Sequence, residues 1–205
     1  MANPSEPQSN LPGRTALAGI AAARSDNFAA GHGLVFAELP HLGKLNLRGG
    51  AALDAPVEAV SGCAFPPAAN RFTSAGARHV LWLGPDEFLL LCEAGKEQAL
   101  EDQLMRLIDT AASTAAVTDV TDSLCVFDLQ GPAVRKVLAK GCSLDLHHDA
   151  FIPGCCAQTM LALAGVTMMA TAADRFLVIC RTSFAPYLQH WLYDAGLEYG
   201  VAFTN

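Results

Sequence analysis

Residues able to bind a metal or act in catalysis concentrate in one stretch of the second half of the chain. They are Cys142, His147, His148, Asp149, Cys155 and Cys156. Imidazole, carboxylate and thiolate groups are all zinc ligands, so a metal site is chemically conceivable. However, the spacing matches no closed structural zinc site, and adjacent histidines in a strand-like loop would point to opposite sides. We therefore interpret the stretch as a solvated or partner-facing loop and predict no metal ligands.

Two places in the sequence carry residue types that could support nucleophilic catalysis. Ser143 and His147 could act as a nucleophile and its base, but the sequence has no strained Gly-x-Ser-x-Gly turn and no evident orienting acid. Cys92 and Cys180 end apolar runs, where thiols are more often inert packing groups than nucleophiles. We predict no catalytic residues in this chain.

A phosphate could be held by the free amides of a helix that follows a strand, as Gly131-Pro132 suggests. Neither Gly-x-Gly-x-x-Gly nor Gly-Lys-Ser/Thr accompanies this dipeptide, so we interpret it as a turn and a helix start and predict no cofactor-binding residues. Asp119 and Asp122 lie close in sequence. We interpret them as strand-edge and turn residues.

The strands and helices that would position these residues follow a sequence pattern that occurs twice in the chain. Residues 86–92 (DEFLLLC) return as 174–180 (DRFLVIC), a shift of 88, and each copy precedes a helical pattern. Residues 45–49 (LNLRG) match 127–131 (FDLQG) at a shift of 82. The difference between these two offsets is typical of a duplicated unit in which loops have gained or lost residues.

Each unit is predicted to run strand, strand, short helix, strands and longer helix. This order predicts an α+β fold of two pseudo-symmetric units with antiparallel sheets and helices on one face. We expect an N-terminal arm at 1–33 and a single domain at 34–205, made of repeats at 34–112 and 113–200. The arm is polar up to Gly13. Its Ala-rich part, from Arg14 to Arg24, has too narrow an apolar stripe to gain much by folding against its own domain.

Local patterns predict individual positions. In residues 44–48 the strict alternation places Leu45 and Leu47 in the core, and Lys44, Asn46 and Arg48 outside it. Residues 96–109 form a helix with one apolar face, made of Leu100, Leu104, Leu107 and Ile108. Ser183 is expected to cap a final helix.

The composition bounds the function classes. The 205 residues carry a net charge of −7 with no basic stripe, so we expect no nucleic-acid partner. No run of 18 apolar residues and no signal peptide occur, and the seven cysteines at apolar positions fit reduced thiols in the cytoplasm. The hydrophobic content is 52% and the charged content 16%. These values fit either an Ala-rich sequence or a subunit with a large protein interface.

Several stretches resemble one family. Residues 129–146 (LQGPAVRKVLAKGCSLDL) and the segments 151–154, 157–161 and 181–188 are similar to the gamma-subunit family of heterotetrameric sarcosine oxidases. The likeness is densest over 117–196 and weaker over 34–109. Leu-Gln-Gly-Pro also occurs in the wider folate-dependent aminomethyltransferase superfamily. His148 stands where the family pattern leads us to expect proline.

The resemblance implies a fold like part of an aminomethyltransferase folate-binding domain. It also implies a small, non-catalytic subunit with a role in assembly, whose partners are alpha, beta and delta subunits. Such a complex demethylates sarcosine to glycine, with hydrogen peroxide and 5,10-methylenetetrahydrofolate as the other products. FAD, FMN, NAD and tetrahydrofolate are expected on the other subunits, and no cofactor on this one.

Two alternatives remain. One is an independent folate-binding, aminomethyltransferase-like protein, against which the chain is short and lacks the transferase's catalytic aspartate motif. The other is a free-standing small-molecule binding module at the interface of the repeats, which would need a concave pocket. For the subunit, we expect contacts with the large subunits through the arm from Arg14 to Arg24 and through the loop of His147, His148 and Phe151.

Overall fold

A computed structural model describes residues 15–18, 31–111 and 114–204. Most of the predicted arm, including both Arg14 and Arg24, lies outside the described residues. The strands, in chain order, are β1 (Leu34–Glu38), β2 (Gly43–Arg48), β3 (Phe72–Ala75), β4 (Arg78–Gly84), β5 (Glu87–Cys92), β6 (Ala116–Asp119), β7 (Leu124–Gln130), β8 (Cys156–Leu161), β9 (Ala164–Ala172), β10 (Arg175–Arg181) and β11 (Val201–Thr204). The helices are α1 (Asp54–Ser61), α2 (Glu97–Thr110), α3 (Val134–Ala139) and α4 (Ala185–Gly196).

The strands form two sheets, and the α+β class with pseudo-symmetric antiparallel units is confirmed. One sheet has the order β3-β4-β5-β2-β6, and the other the order β11-β1-β7-β10-β9-β8. The two repeated motifs occupy equivalent places: β2 pairs with β5 in one sheet as β7 pairs with β10 in the other. Strand β11, parallel to β1, extends the second sheet and was not predicted.

The halves exchange their first strands, which the sequence did not indicate. Strand β1 does not pair with β2; it lies beside β7, with Phe36 opposite Leu129. In the same way β6 lies beside β2, with Val117 opposite Leu47. Each sheet is therefore completed by a strand from the other half of the chain, so the two halves are joined by backbone hydrogen bonds.

Four layers result, because each sheet is covered by helices on one face and by the other sheet on its opposite face. One outer cluster packs α1 and α2 on the first sheet, through residues such as Val57, Leu90 and Leu104. The other packs α3 and α4 on the second sheet, through residues such as Phe127 and Leu192. Between the sheets lies a third cluster, made of Leu81, Leu89, Leu91, Val126, Cys156, Met169, Leu177 and Ile179.

The helices follow their sequence signals with two exceptions. Gly62 ends α1 in a left-handed conformation with φ 75°, as a C-terminal glycine should. Leu100, Leu104 and Ile108 of α2 are buried as predicted, but Leu107 is 40% exposed because it lies at the margin of the narrow apolar face. Ser183 does not cap α4, because a 3-10 turn at Thr182–Phe184 precedes the helix and no side chain caps it.

In the described part of the chain, no helix combines the length and apolar character needed to cross a membrane.

Candidate functional site

A cleft of about 620 Å³ opens between the two sheets at one end of the middle cluster. Its floor is apolar and includes Leu89, Leu124 and Ile179, and its rim is polar, with Glu87, Gln158 and Arg181. The volume lies in the range of small-molecule pockets. A concave surface between the halves of the repeat is therefore present, as the binding-module alternative requires.

Two polar side chains of the rim are already bonded within the chain. Glu87 accepts a hydrogen bond from the amide of Asn46 at 2.8 Å and forms an ion pair with the guanidinium of Arg48 at 2.9 Å. Gln158 donates to the carbonyl oxygen of Leu83 at 2.8 Å, which links the two sheets across the cleft. Gln158 therefore joins the two sheets, whereas Glu87 is bonded to the neighbouring strand of its own sheet. Both side chains are thus engaged within the chain.

The position of Lys44, in β2, differs from the one predicted from the sequence. It was expected outside the core but is 3% exposed, because the turn at Thr121–Ser123 covers its face of β2. Its Nζ donates to the carbonyl oxygens of Leu42 at 2.6 Å and Thr121 at 3.1 Å. Burial lowers the pKa of Lys44, and the nearby acidic groups of Cys125, Asp122, Asp119 and Glu38 oppose that shift.

The described part of the arm, Thr15 to Ala18, packs on this side of the chain's own body. The backbone N–H groups of Ala16 and Leu17 donate to the two carboxylate oxygens of Glu38, at 2.9 and 3.3 Å. Leu17 is 6% exposed and belongs to the core of the second sheet. The prediction that this part of the arm gains little from its own domain is therefore wrong at Ala16 and Leu17.

The loop expected to face partners places its two histidines side by side. The amides of Ala150 and Phe151 both donate to the carbonyl oxygen of His147, so the backbone turns here and does not run as a strand. As a result the rings of His147 and His148 lie 4.0 Å apart on one side, and the prediction of opposite sides is wrong. The carboxylate of Asp149 lies 3.5 Å from a nitrogen of each ring.

Phe151 differs from the histidines because it points inward. It is 8% exposed and stacks on Phe176 with ring centroids 6.1 Å apart. Arg135 holds this part of the loop by donating to the carbonyl oxygens of Leu146 at 2.7 Å and Phe151 at 3.0 Å. The expected partner contact by Phe151 is thus a correction: its side chain belongs to the core, while His147 and His148 remain exposed.

The three cysteines of the same stretch have polar partners other than the histidines, although Cys142 lines a surface hollow together with His147 and His148. Cys142 contacts the hydroxyl of Thr159 at 3.8 Å, and Cys155 accepts a hydrogen bond from Arg71 at 3.0 Å. The thiol of Cys156 donates to the carbonyl oxygen of Trp82 at 3.5 Å, and burial raises the pKa of Cys156 to about 12. The structure therefore does not join these thiols to the histidines in one group.

The remaining thiols are packing groups, as predicted. All seven cysteines are buried. Burial, with Glu97 and Glu93 nearby, raises the pKa of Cys92 to about 11. Cys125 faces Cys180 across β7 and β10, and a hydrogen bond between the two thiols together with burial raises the pKa of Cys125. Raised thiol pKa values oppose nucleophilic reactivity near neutral pH.

Gly131 is a turn glycine, and the amides after it are occupied. The N–H of Ala133 donates to the carbonyl oxygen of Gly33 at 2.9 Å, and that of Val134 to the carbonyl oxygen of Gly131 at 3.0 Å. A phosphate would have to displace these bonds. As interpreted, Asp119 is the last residue of β6 and Asp122 lies in a turn.

One pair with catalytic potential was missed in the sequence. Ser74 and His79 face each other across β3 and β4, with 2.7 Å between Oγ and Nδ1. The imidazole ring lies edge-on to Phe72 at 6.0 Å, and its pKa is lowered by burial alone, with no charged neighbour contributing. A serine–histidine pair without an orienting acid has only two of the three members of a catalytic triad. The alternation of the two strands was its only sequence signal.

The lowered pKa of His79 predicts a pH-dependent stability. Below the ordinary pKa of 6.5 the unfolded chain takes up this proton before the folded chain does. The free energy of unfolding should therefore fall as the pH drops from 6.5 through the lowered folded pKa. Urea unfolding at several pH values should show this loss in the parent chain and in Ser74→Ala, which keeps the imidazole, but not in His79→Gln. An unchanged loss in His79→Gln would contradict the assignment.

Known proteins of one family are similar to this chain over most of its length. The model of the family described as "Sarcosine oxidase, gamma subunit family" matches residues 48–198. The sarcosine oxidase subunit gamma of Corynebacterium sp. (strain U-96) is 33% identical over 98% of each chain. That of an Arthrobacter species is 33% identical over 73% of this chain and 72% of its own length.

Two solved structures have similar folds. A chain of the heterotetrameric sarcosine oxidase from Corynebacterium sp. U-96, in complex with pyrrole 2-carboxylate, matches with a TM-score of 0.82 at 32% identity. The match covers 94% of this chain and 98% of that one. The aminomethyltransferase T of the Bartonella henselae glycine cleavage system matches with a TM-score of 0.60 at 16% identity, over 84% of this chain and 48% of that one. The second likeness shows the fold alone.

Proposed function

This chain belongs to the sarcosine oxidase gamma subunit family, and we propose that it is the non-catalytic gamma subunit of a heterotetrameric sarcosine oxidase. The complex would oxidise the N-methyl group of sarcosine, passing two electrons to dioxygen to give hydrogen peroxide. The methyl carbon would pass to tetrahydrofolate as 5,10-methylenetetrahydrofolate, leaving glycine.

The observation that carries this proposal is the end-to-end match to a subunit of such an enzyme. The relative from Corynebacterium sp. (strain U-96) and this chain each align over 98% of their length. The matched solved chain, from a heterotetrameric enzyme, shares the same fold over 94% of this chain. A chain of this size and fold thus serves as one part of a larger enzyme in that organism.

The non-catalytic role is supported by how the reactive groups are used. Lys44 is bonded to two carbonyl groups and Glu87 to two side chains, so both hold the fold. The thiols of Cys92 and Cys156 have raised pKa values. In the Ser74–His79 pair, burial alone shifts the pKa of His79, and no charged group contributes to that shift. Within residues 31–111 and 114–204 these groups do not converge on one point of the cleft.

The start of α3 is poorly suited to the phosphates of a dinucleotide, which supports placing FAD and NAD on the other subunits. FMN and tetrahydrofolate are placed there because the family resemblance implies it. A dinucleotide needs free amides at a helix start and glycines that let its phosphates approach. At the start of α3, Gly131 is pressed against Gly33, and the amides of Ala133 and Val134 are bonded to carbonyl groups. We therefore assign no step of the reaction to a cofactor held here.

The partners would be the alpha, beta and delta subunits. We propose that the arm from Arg14 to Arg24 and the exposed loop around His147 and His148 contact the large subunits. The exposed positions of the two histidines support the loop contact, and the packing of Leu17 gives the arm a fixed starting point.

Co-expression with the neighbouring reading frames tests the proposal. A tag on this chain should recover a yellow, flavin-containing assembly, and native mass spectrometry should find this chain with three different partners. Combining Arg14→Glu, Arg24→Glu, His147→Glu and His148→Glu should reduce the assembled fraction. Intact assembly by that variant would refute the contact surfaces only. A colourless chain that stays alone and binds tetrahydrofolate would refute the subunit role itself.

A further inference from the structure

The turn that carries His147, His148 and Asp149 gathers three metal-binding side chains. One nitrogen from each ring and one carboxylate oxygen of Asp149 all lie within 4.8 Å of one another. Two of these separations, from His147 Nδ1 and from His148 Nε2 to the two oxygens of Asp149, are 3.5 Å. A zinc ion with bonds of about 2.0–2.1 Å holds tetrahedral ligand atoms about 3.4 Å apart, which is close to these two separations. Nδ1 of His147 also accepts a hydrogen bond from the backbone N–H of Asp149 at 3.3 Å, so an ion bound at that nitrogen would replace this bond.

The backbone on both sides of these ligands is fixed independently of them. Leu146 and Phe151 are buried at the two ends of the turn, 4% and 8% exposed. Arg135 donates to the carbonyl oxygens of both residues, and its guanidinium lies 4.8 Å from the ring centroid of Phe176. The ligands therefore stand on a turn anchored at its base, which reduces the entropy lost when they bind an ion.

We propose that His147, His148 and Asp149 bind one divalent transition-metal ion of the zinc class at the protein surface. Two imidazoles and one carboxylate suit borderline ions such as Zn²⁺, Co²⁺ and Ni²⁺ better than Mg²⁺ or Ca²⁺, which take oxygen ligands. The side chains are 59%, 67% and 80% exposed, so the ion keeps open positions for water or for a group of another molecule. The nearby thiols contribute nothing, because Cys142, Cys155 and Cys156 bond elsewhere.

Calorimetric titration of the full chain with ZnCl₂ at pH 7.5 tests the site. We expect one ion per chain, and His147→Ala and Asp149→Asn should each weaken its binding by about tenfold or more. His190→Ala is the matched control, because it removes an exposed histidine whose ring contacts only a carbonyl oxygen of its own helix at 2.7 Å, and it should leave the affinity unchanged. MgCl₂ should give no binding.

The Co²⁺-loaded chain provides a second readout, since its spectrum distinguishes nitrogen and oxygen ligands from thiolates. We expect no thiolate-to-cobalt charge-transfer band in the parent chain and loss of the ligand-field bands in His147→Ala. Unchanged Zn²⁺ affinity in the His147 and Asp149 variants, a thiolate band, or the absence of stoichiometric binding would each overturn the proposal. None of these results bears on the subunit role, because assembly is measured separately.

Discussion

Replacing Gly131 by alanine is expected to lower the free energy of unfolding by about 3 kcal/mol or more. Gly131 has φ 132°, which L side chains rarely adopt. An alanine Cβ would fall within contact distance of the carbonyl oxygen of Gly33, 3.0 Å from its carbonyl carbon and 3.3 Å from Cα of Leu34. These neighbours are backbone atoms at the start of β1, so they can give way only if the exchanged strand moves out of the sheet.

Urea unfolding of Gly131→Ala beside Gly165→Ala measures this effect. Gly165 lies in β9, has no left-handed φ, and has no atom within 4 Å of a Cβ placed on it. Its replacement should leave stability unchanged or slightly higher, because alanine restricts the unfolded chain. Equal stabilities of the two variants would show that the contact between Gly131 and Gly33 does not constrain the exchanged strand.

Gly49 occupies the equivalent position in the first half of the chain. It follows β2 as Gly131 follows β7, and it has φ 146°. A Cβ on Gly49 would lie 2.5 Å from that of Ala115 and 3.1 Å from the carbonyl oxygen of Thr114, just before β6. At both glycines the absence of a side chain lets an exchanged strand approach closely. Gly49→Ala should therefore also lower the free energy of unfolding.

Replacing Arg135 by methionine is expected to cost about 2–4 kcal/mol of stability, from the loss of several charge-assisted hydrogen bonds. Besides Leu146 and Phe151, the guanidinium donates to the carbonyl oxygen of Ala173 at 2.7 Å. It also stacks over Phe176, a contact that methionine cannot make electrostatically. The variant should release the turn between Leu146 and Phe151, so limited proteolysis should cut there faster than in the parent chain.

Lys136→Met is the matched control for Arg135→Met, because it removes a cation from the next position of the same helix. Lys136 is exposed, and its ammonium lies 6.0 Å from the ring of Tyr199. Exposed contacts of this kind contribute little, so stability should change by less than about 1 kcal/mol. Equal effects of the two substitutions, or an uncleaved loop in Arg135→Met, would contradict the anchoring role.

Much of the fold could be predicted because it rests on local patterns. The motif ending at Cys92 and its copy ending at Cys180 predicted equivalent strands, and Gly62 predicted a helix end. The exchange of β1 and β6 could not be predicted, since an apolar strand pattern specifies a buried face but not the neighbouring strand. The burial of Lys44 could not be predicted for a similar reason. The turn that covers it, at Thr121, is distant in sequence, and the strand pattern alone would leave that face of β2 open.

The candidate sites were less predictable than the fold, because they depend on single backbone turns. His147 and His148 lie side by side only because two amides bond to the carbonyl oxygen of His147. Ser74 meets His79 through the register in which β3 pairs with β4, and no such pairing was predicted from the sequence. The family resemblance, in contrast, rested on a long contiguous run over residues 129–146 and could be identified before the structure.

The measurement that tests the subunit role most directly is sarcosine-dependent oxygen consumption by the partner chains, produced with and without this chain. If this chain is a non-catalytic assembly subunit, the four-chain preparation should be active and of one native mass. Without this chain, the partners should lose most activity and fail to form that species, and adding the purified chain should restore both. A three-chain preparation with full activity and a stable native mass would contradict the proposed role.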